Sequence, residues 1–189
     1  MKITKVTEDA VATLLDDLLK RSPNNYTGYA DKVQAIIDDV RERGDEALFE
    51  MTKRFDGADL NADNIRVTQA EIDEAYTLVD ASLIEVIRKA MTNIRVYHEK
   101  QRQYGWFDTT PDGTILGQKV TPLQSTGVYV PGGKAAYPSS VLMNVIPAKV
   151  AGVEKIVMVT PPGKDGKVNP GTLVAANAVS YTHLRAHET

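Results

Sequence analysis

The 189-residue sequence has no cysteine, no long apolar run and no excess of charge of one sign. Without cysteine the chain has no disulfide framework, no thiolate metal site and no cysteine nucleophile, which agrees with a reducing, cytoplasmic location. No segment reaches the roughly 18 consecutive apolar residues that span a bilayer, so we expect no membrane partner. The net charge of −3, from 22 basic and 25 acidic residues, lacks the basic excess typical of nucleic-acid binding.

The remaining composition is that of a folded globular protein. Hydrophobic residues make up 42% of the chain and charged residues 25%, which is close to average usage. This apolar content excludes a disordered chain, because such a chain buries too little apolar surface to offset its ordering entropy.

The last ten residues differ in character from the rest. Residues 180–189 match, at every position, the translation of a transposon-type sequencing adapter. We therefore expect a non-native tail and a truncated N-terminal piece of a longer protein; the alternative is a polar C-terminal tail. His183 and His187 lie in this segment, four residues apart, and on a helix they would share one face. Because we exclude the segment from fold reasoning, we assign no metal site to them.

Apolar residues recur at helical spacing through the first half of the chain. Residues 8–21 predict an amphipathic helix, and a second is predicted from Tyr29. Gly44 interrupts this second helix, and Asp45 is placed to cap its continuation. We expect the buried face of the second helix to consist of Val33, Ile36, Ile37 and Val40.

Two further helix starts carry capping residues. Thr68 and Glu71 have the spacing of a capping box, in which each side chain satisfies a free backbone N–H group. Asp80 is placed to cap a long helix over 81–103. Together these patterns predict a helical N-terminal region over residues 1–104.

Two features of this region have residue types found in catalytic sites. Arg41, Arg43, Asp45 and Glu46 form a charge cluster, which we interpret as a solvated helix end because charge runs usually face water. His98 is the one histidine outside the last ten residues, and no residue stands at a recognisable ligand spacing from it. We interpret His98 as structural or exposed.

The second half has the pattern of a strand–helix–strand unit. A β-branched run at 126–130 predicts a strand, Ser139 or Ser140 is placed to cap a helix, and a strand follows at 155–160. Such a unit has parallel strands and a right-handed crossover. Pro147 is expected to kink or shorten the helix, because it removes a backbone hydrogen bond.

The predicted fold class is α/β, with an N-terminal helical arm followed by an incomplete Rossmann-like parallel βαβ domain. Two short strands, at 105–108 and 114–121, precede the βαβ unit. We expect the Rossmann-like domain to begin at 105 and to run to 179, where a further crossover helix starts.

The turn at 130–140 is the segment most typical of a ligand site. It leaves the carboxyl end of a parallel strand, which is where α/β folds bind ligands. It contains two glycines and leads into a helix N-terminus, which favours an anion. Its spacing fits neither of the common phosphate-binding motifs. Ligand binding and a purely structural strand-to-helix turn both remain open.

Several motifs in order resemble the histidinol dehydrogenase family. The N-terminal region of that family is similar to the segments at 43–48 and 53–56, and its long helix is similar to the segment at 93–98. Its characteristic segment resembles the run Gly-Val-Tyr-Val-Pro-Gly-Gly at 127–133 and the run Tyr-Pro-Ser-Ser-Val-Leu-Met at 137–143. The resemblance covers about residues 10–179.

The resemblance implies an NAD-dependent, zinc-containing dehydrogenase that oxidises L-histidinol to L-histidine through L-histidinal, in histidine biosynthesis. It also implies an intertwined homodimer with Rossmann-like domains and a cytoplasmic, amino-acid biosynthetic role. Tyr129 matches the family's tyrosine that contacts NAD; otherwise it is a core aromatic. The family's zinc ligands and acid/base pair are expected beyond the end of this chain. We therefore name no catalytic or metal residue and expect this chain alone to be inactive.

Two other functions are compatible with the residues. One is a non-enzymatic module that uses its helices for dimerisation or binds a nucleotide weakly. The other is an unrelated Rossmann-type binder, which the helical arm and the absence of a G-x-G-x-x-G motif disfavour.

Overall fold

The structure is a computed structural model that describes residues 27–132, 136–179 and 184–185, together with Thr7, Asp9 and Val11. The chain forms two compact units, Met1–Gly44 and Asp45–Thr189. This division lies earlier than the domain boundary predicted near residue 104, which stays a prediction for the whole protein. The helix predicted over 8–21 lies almost entirely outside the described residues, although Asp9 and Val11 are helical.

The described part of the first unit is dominated by one helix, α1 (Thr27–Arg43). The prediction that its apolar stripe is buried is wrong. Val33 is 52% exposed, Ile36 and Ile37 are 37% and 39% exposed, and only Val40 of the four predicted residues is half-buried. Helical spacing indicates which side chains share a face, but it does not determine whether another element covers that face.

The second unit contains the other described elements. Gly44, at φ +63°, separates α1 from the next helix, as predicted, because glycine tolerates this left-handed conformation. The helices are α2 (Asp45–Phe55), α3 (Gln69–Leu78), α4 (Ala81–Glu99), α5 (Pro138–Val150) and α6 (Pro170–Ala178). The strands are β1 (Trp106–Thr109), β2 (Ile115–Gln118), β3 (Ser125–Tyr129), β4 (Lys155–Val159) and β5 (Leu184–Arg185).

The capping arrangements predicted for α3 and α4 are confirmed, whereas Asp45 is the first residue of α2 and not the capping residue before it. The backbone N–H of Thr68 donates to Glu71 Oε2 at 2.7 Å, and the Glu71 N–H donates to Thr68 Oγ1 at 3.3 Å. At the start of α4 the Ser82 N–H donates to Asp80 Oδ1 at 2.7 Å. Hydrogen bonds from Ser82 hold the pKa of the Asp80 carboxyl below its usual value. Helix α4 ends at Glu99, earlier than the predicted residue 103.

The strands form two separate sheets. β1 and β2 pair antiparallel as a hairpin, with Trp106 opposite Gln118. β3, β4 and β5 form a parallel sheet in that order, with Gly127 opposite Val157. The predicted βαβ unit is therefore confirmed, and the fold is α/β.

Helices cover one face of the parallel sheet. Side chains alternate along a strand, so one set from β3 and β4 faces the helices, and these residues are buried. Helix α4 packs against α5, and α3 packs against α6. One hydrophobic core joins the sheet and these four helices. The core residues on the strands are Val128, Ile156 and Met158, followed by Val130 just after β3.

Helix α5 differs from the prediction at its start and in its middle. It begins at Pro138, and the capping residue Tyr137 makes no side-chain cap hydrogen bond, so capping by Ser139 or Ser140 is wrong. Proline suits a first helical position because its missing N–H would have no intrahelical partner there. Pro147 lies inside the helix and does not end it.

The end of α5 agrees with the sequence. Gly152 has φ +88°, and its N–H donates to the Lys149 carbonyl at 3.0 Å. The Val153 N–H donates to the Ala148 carbonyl, also at 3.0 Å. This pair of hydrogen bonds is a Schellman motif, in which the positive φ favours glycine.

The segment predicted to be non-native is described at two residues. Leu184 and Arg185 form β5, which pairs with Met158 and Val159 of β4. The other residues of 180–189 lie outside the described residues, and so do His183 and His187. The adapter origin stays a prediction. Among the described helices, none combines the length and the apolar character that crossing a membrane requires.

Candidate functional site

The carboxyl ends of β3 and β4 form the candidate site. Tyr129 is the last residue of β3, and its side chain is 57% exposed. Its neighbours Val128 and Val130 are both buried, so by strand alternation Tyr129 lies on the opposite face, away from α5 and α6. The alternative interpretation, in which Tyr129 is a core aromatic, is therefore wrong within the described residues. Contact with NAD stays a prediction.

Tyr129 shares its face with a shallow apolar depression. Gly127, Val157 and Val159 line it together with Tyr129, and its volume is about 450 Å³. Glycine at 127 leaves open space above the strand, since a Cβ there would meet no atom within 4 Å. The arrangement presents an aromatic ring beside an open surface, which suits stacking against a planar ligand.

The glycine that follows β3 has a structural explanation. A Cβ on Gly132 would lie 3.0 Å from the Pro161 carbonyl oxygen and 3.2 Å from the Pro161 ring. Close packing between the turns after β3 and β4 therefore favours glycine at this position, since a larger residue would force Pro161 to shift. Gly133 and Lys134 lie outside the described residues, so both interpretations of this turn stay open.

The N-terminus of α5 has no side-chain cap among the described residues. Helix N-termini present free N–H groups and a partial positive charge. Tyr137 provides no side-chain cap, and Pro138 has no N–H, while the Ser140 N–H donates to the Tyr137 carbonyl at 2.9 Å. This helix start is suited to an anionic group such as a diphosphate.

A cavity of about 460 Å³ lies on the other, helix-covered side of the same sheet edge. The turn after β3 contributes Gly132, and Thr160 and Pro161 follow β4. Helix α3, the loop at 163–168 and the N-terminal turn of α6 provide most of the remaining walls. Its volume falls within the range of about 300–1,000 Å³ that is typical of ligand pockets.

The charged groups around the cavity are engaged with one another. Lys167 Nζ lies 2.8 Å from each carboxylate oxygen of Glu74, which raises the pKa of the Lys167 ammonium above its usual value. Glu71 accepts the hydrogen bonds of the capping box. Asp165 accepts from the Lys167 N–H at 3.1 Å, and Asn169 accepts from the Gly171 N–H at 2.9 Å. Each of these ionisable side chains therefore makes at least one hydrogen bond or ion pair.

Sequence reasoning did not identify this cavity or its two threonines, Thr160 and Thr172. Each is 2% exposed and lines the cavity. Threonine is common after a β-branched strand and in the first turn of a helix. Neither position therefore indicated a ligand site from the sequence. The cavity depends on the approach of α3, which is distant in sequence from α6.

The charge cluster predicted at the end of α1 and the start of α2 does not lie at this site. Arg43 pairs with Asp39 at 2.6 Å on α1, and its hydrogen bond lowers the pKa of the Asp39 carboxyl. Arg41, Asp45 and Glu46 are exposed, as expected for a solvated helix end. Within the described ranges, no three His, Cys, Asp or Glu residues group as metal ligands.

His98 lies at the opposite end of the second unit's sheet. It lines a separate cavity of about 660 Å³, next to Leu123 and Thr126 near the amino end of β3. Its Nδ1 lies 2.7 Å from Gln101 Oε1, and its ring meets Tyr97 edge-on at 5.3 Å. These contacts agree with a structural role.

The fold is that of an α/β protein whose parallel strands present their carboxyl ends at one edge of the sheet, which is where such folds bind ligands. A family model described as histidinol dehydrogenase matches residues 19–185. The chain belongs to the histidinol dehydrogenase family, which is a family of oxidoreductases. The match extends into the first residues of the segment predicted to be foreign.

Individual relatives agree with this assignment. The chain is 54% identical over 169 residues to a histidinol dehydrogenase of Heliobacterium mobile, covering 89% of this chain and 40% of the relative. It is 59% identical over 159 residues to that of Bacillus subtilis (strain 168), covering 84% of this chain and 37% of the relative. These relatives disfavour a non-enzymatic module and an unrelated Rossmann-type binder.

A solved structure agrees as well. The crystal structure of histidinol dehydrogenase from Elizabethkingia anophelis matches with a TM-score of 0.78 and 34% identity, over 85% of this chain and 36% of that chain. The chain therefore spans about two fifths of the length of the relatives that it matches.

Proposed function

We propose that the chain is part of an NAD-dependent enzyme that oxidises L-histidinol to L-histidine through L-histidinal, in histidine biosynthesis. The observation that carries the proposal is the family match over 19–185, with Tyr129 exposed at the carboxyl end of β3. The proposal includes a cytoplasmic enzyme, because the family's role is biosynthetic.

The described residues fit NAD at this edge of the sheet. Tyr129 offers an exposed ring beside an open apolar surface. The N-terminus of α5 has no side-chain cap within the described ranges and carries the partial positive charge of a helix start. We propose that Tyr129 packs against the cofactor and that the start of α5 faces its diphosphate. When bound, NAD accepts hydride from the substrate.

The described residues do not fit the zinc ion that the resemblance implies. No group of three potential ligands occurs in the described ranges. We propose that the zinc ligands and the acid/base residues belong to the part of the protein that corresponds to the remaining length of the relatives. No step of the reaction is assigned to residues of this chain beyond cofactor binding.

We also propose a homodimer, with the hairpin of β1 and β2 as part of its contact surface. All eight residues of the two strands are exposed, and a lone two-stranded hairpin is marginally stable in water. Its large apolar side chains need cover from another surface. These side chains are Trp106, Phe107, Ile115 and Leu116.

The cofactor proposal is tested by measuring NAD binding to the 189-residue chain by equilibrium dialysis. The Tyr129→Ala variant is expected to raise the Kd for NAD about tenfold, because it removes a stacking surface. Tyr104→Ala is the matched control, since Tyr104 is 71% exposed but lines the cavity near the amino end of β3. Equal affinities in the wild type and the Tyr129→Ala variant would contradict the assignment of Tyr129.

A further inference from the structure

A cavity at the C-terminal ends of α4 and α5 collects positive charge, at the end of the sheet opposite to Tyr129. Its volume is about 400 Å³. Arg95, Arg102 and Lys149 line it, against one acidic residue among the described lining residues, Glu99. We call it the cationic cavity. A concave surface with such an excess of positive charge attracts anions.

The ends of the helices account for Lys149 but not for Arg95. The Lys149 ammonium donates to the carbonyl of Val179, the residue that caps the C-terminus of α6. Arg95 lies one turn before the end of α4 and is half-buried. Within the described ranges its guanidinium makes no hydrogen bond and no ion pair, although Glu99 is four residues further along the helix. A half-buried guanidinium of this kind is suited to pair with an anion from outside.

Arg95 and Lys149 lie close enough to repel each other. Burial, followed by the positive charge of Arg95, lowers the pKa of the Lys149 ammonium below its usual value. Both side chains are half-buried, so water and salt screen the repulsion less than at an open surface. A bound anion would offset this repulsion. Phosphate suits the position, because the planar guanidinium matches its oxygens with two parallel hydrogen bonds.

The cationic cavity adjoins the cavity of about 660 Å³ that His98 lines. Arg102, Tyr104 and Val150 line both of them. The Arg102 guanidinium lies 5.3 Å from the centre of the Tyr104 ring. In the larger cavity Leu123 is 69% exposed and adds apolar surface. A ligand that occupies both cavities therefore combines an anionic group with an apolar ring.

We propose that the two adjoining cavities bind an organic phosphate that carries an aromatic ring. The phosphate lies among Arg95, Arg102 and Lys149, and the ring packs against Tyr104 and Leu123. The site is near the amino end of β3, at the other end of the sheet from the cofactor site proposed above, and it does not depend on NAD binding.

Equilibrium dialysis of the 189-residue chain against phenyl phosphate and inorganic phosphate, at constant ionic strength, tests this site. The chain is expected to bind phenyl phosphate about tenfold more tightly than inorganic phosphate, because only phenyl phosphate has a ring to bury. Arg95→Gln and Arg102→Gln are each expected to raise both Kd values about tenfold, because each removes a charge-assisted contact. Leu123→Ser is expected to raise the Kd for phenyl phosphate alone.

Arg88→Gln is the matched control, since Arg88 lies on the same helix but pairs with Glu85 at 2.7 Å and does not line the cavity. It is expected to leave both Kd values unchanged. Thermal melts of every variant report whether it folds, and Arg102→Gln keeps the test valid if Arg95→Gln lowers the melting temperature, because Arg102 is exposed.

No binding of phenyl phosphate to the wild-type chain would overturn the proposal. Wild-type affinity in a folded Arg102→Gln variant would also overturn it, since the cations would then serve the helix ends only. Equal losses in Arg88→Gln and Arg95→Gln would do the same, because binding would follow net charge and not the cavity. NAD affinity is expected to stay unchanged in all these variants, so failure of the proposed function would be distinguishable from failure of this inference.

Discussion

The ammonium of Lys167 lies 2.8 Å from both carboxylate oxygens of Glu74, and this ion pair joins the loop after β4 to α3. The two residues are 93 positions apart in the chain. A second long-range contact runs parallel to it, from Asn177 Nδ2 of α6 to the Tyr76 hydroxyl of α3 at 3.1 Å. Both contacts hold α3, from the first half of the chain, against the loop after β4 and α6, and that approach forms one wall of the cavity.

The buried face of α5 is expected to dominate the stability of the second unit. Ile146 is 0% exposed within the core between the sheet and the helices. Ile146→Ala is expected to lower the free energy of unfolding by about 2–5 kcal/mol, because it removes packed methyl groups and leaves a cavity. Met143→Ala on the same helix is the control, since Met143 is 53% exposed and the expected change is about 0.5 kcal/mol. Urea denaturation of both variants measures the difference, and equal losses would contradict this packing.

Because Asp80 caps α4 as a carboxylate, the free energy of unfolding is expected to fall at acid pH. The Asp80 pKa is lower in the folded chain than its usual value of 3.8, chiefly through hydrogen bonds from Ser82. The stabilisation is therefore present above about pH 4 and is lost as the pH falls through the folded-state pKa. Asp80→Asn keeps a capping oxygen but has no titrating carboxyl. We therefore expect the stability of this variant to change less with pH than that of the wild type.

Thermal melts of the wild-type chain and the Asp80→Asn variant, between pH 2 and pH 7, measure this effect. The two curves are expected to differ most near neutral pH and to converge at low pH. A constant difference across the range would show that the Asp80 carboxylate is not the titrating group.

The exposed hairpin is expected to drive self-association. Trp106 is the single tryptophan of the chain and is 59% exposed, so its fluorescence reports directly on this surface. With rising protein concentration we expect its emission to shift to shorter wavelength and the sedimentation coefficient to increase. Phe107→Ser is expected to weaken both effects, because Phe107 is 80% exposed on the hairpin.

Phe55→Ser provides the comparison for a surface aromatic elsewhere, since Phe55 is 62% exposed on α2. It is expected to leave the association unchanged. A chain that sediments as a monomer at every concentration, with constant Trp106 emission, is incompatible with a docking role for the hairpin.

The 189-residue chain is expected not to oxidise L-histidinol. Its described residues contain no cluster of metal ligands, and the ionisable groups at the sheet edge are engaged in structural contacts. The measurement is NADH formation with NAD, zinc and L-histidinol, compared with a control that contains no protein. Turnover above that control would place catalytic groups within this chain.

The sequence by itself determined the local structure of this protein. The capping box of Thr68 and Glu71, the Asp80 cap, the glycine after α5 and the order of strand and helix in the βαβ unit were all predictable. Each depends on residues within a few positions of one another, whose hydrogen bonds form inside a single turn or element. The family resemblance also depended on short motifs in order, and it was confirmed.

Only the tertiary structure decided which surfaces are covered. The apolar stripe of α1 was expected to be buried, but Val33, Ile36 and Ile37 are exposed. Helical spacing carries no information about a covering partner, so the sequence could not decide this. The side of the sheet on which Tyr129 lies, and the burial of Thr160 and Thr172 beside the cavity, follow from how α3, α5 and α6 pack on the strands. These contacts join residues far apart in the chain, so no local pattern specifies them.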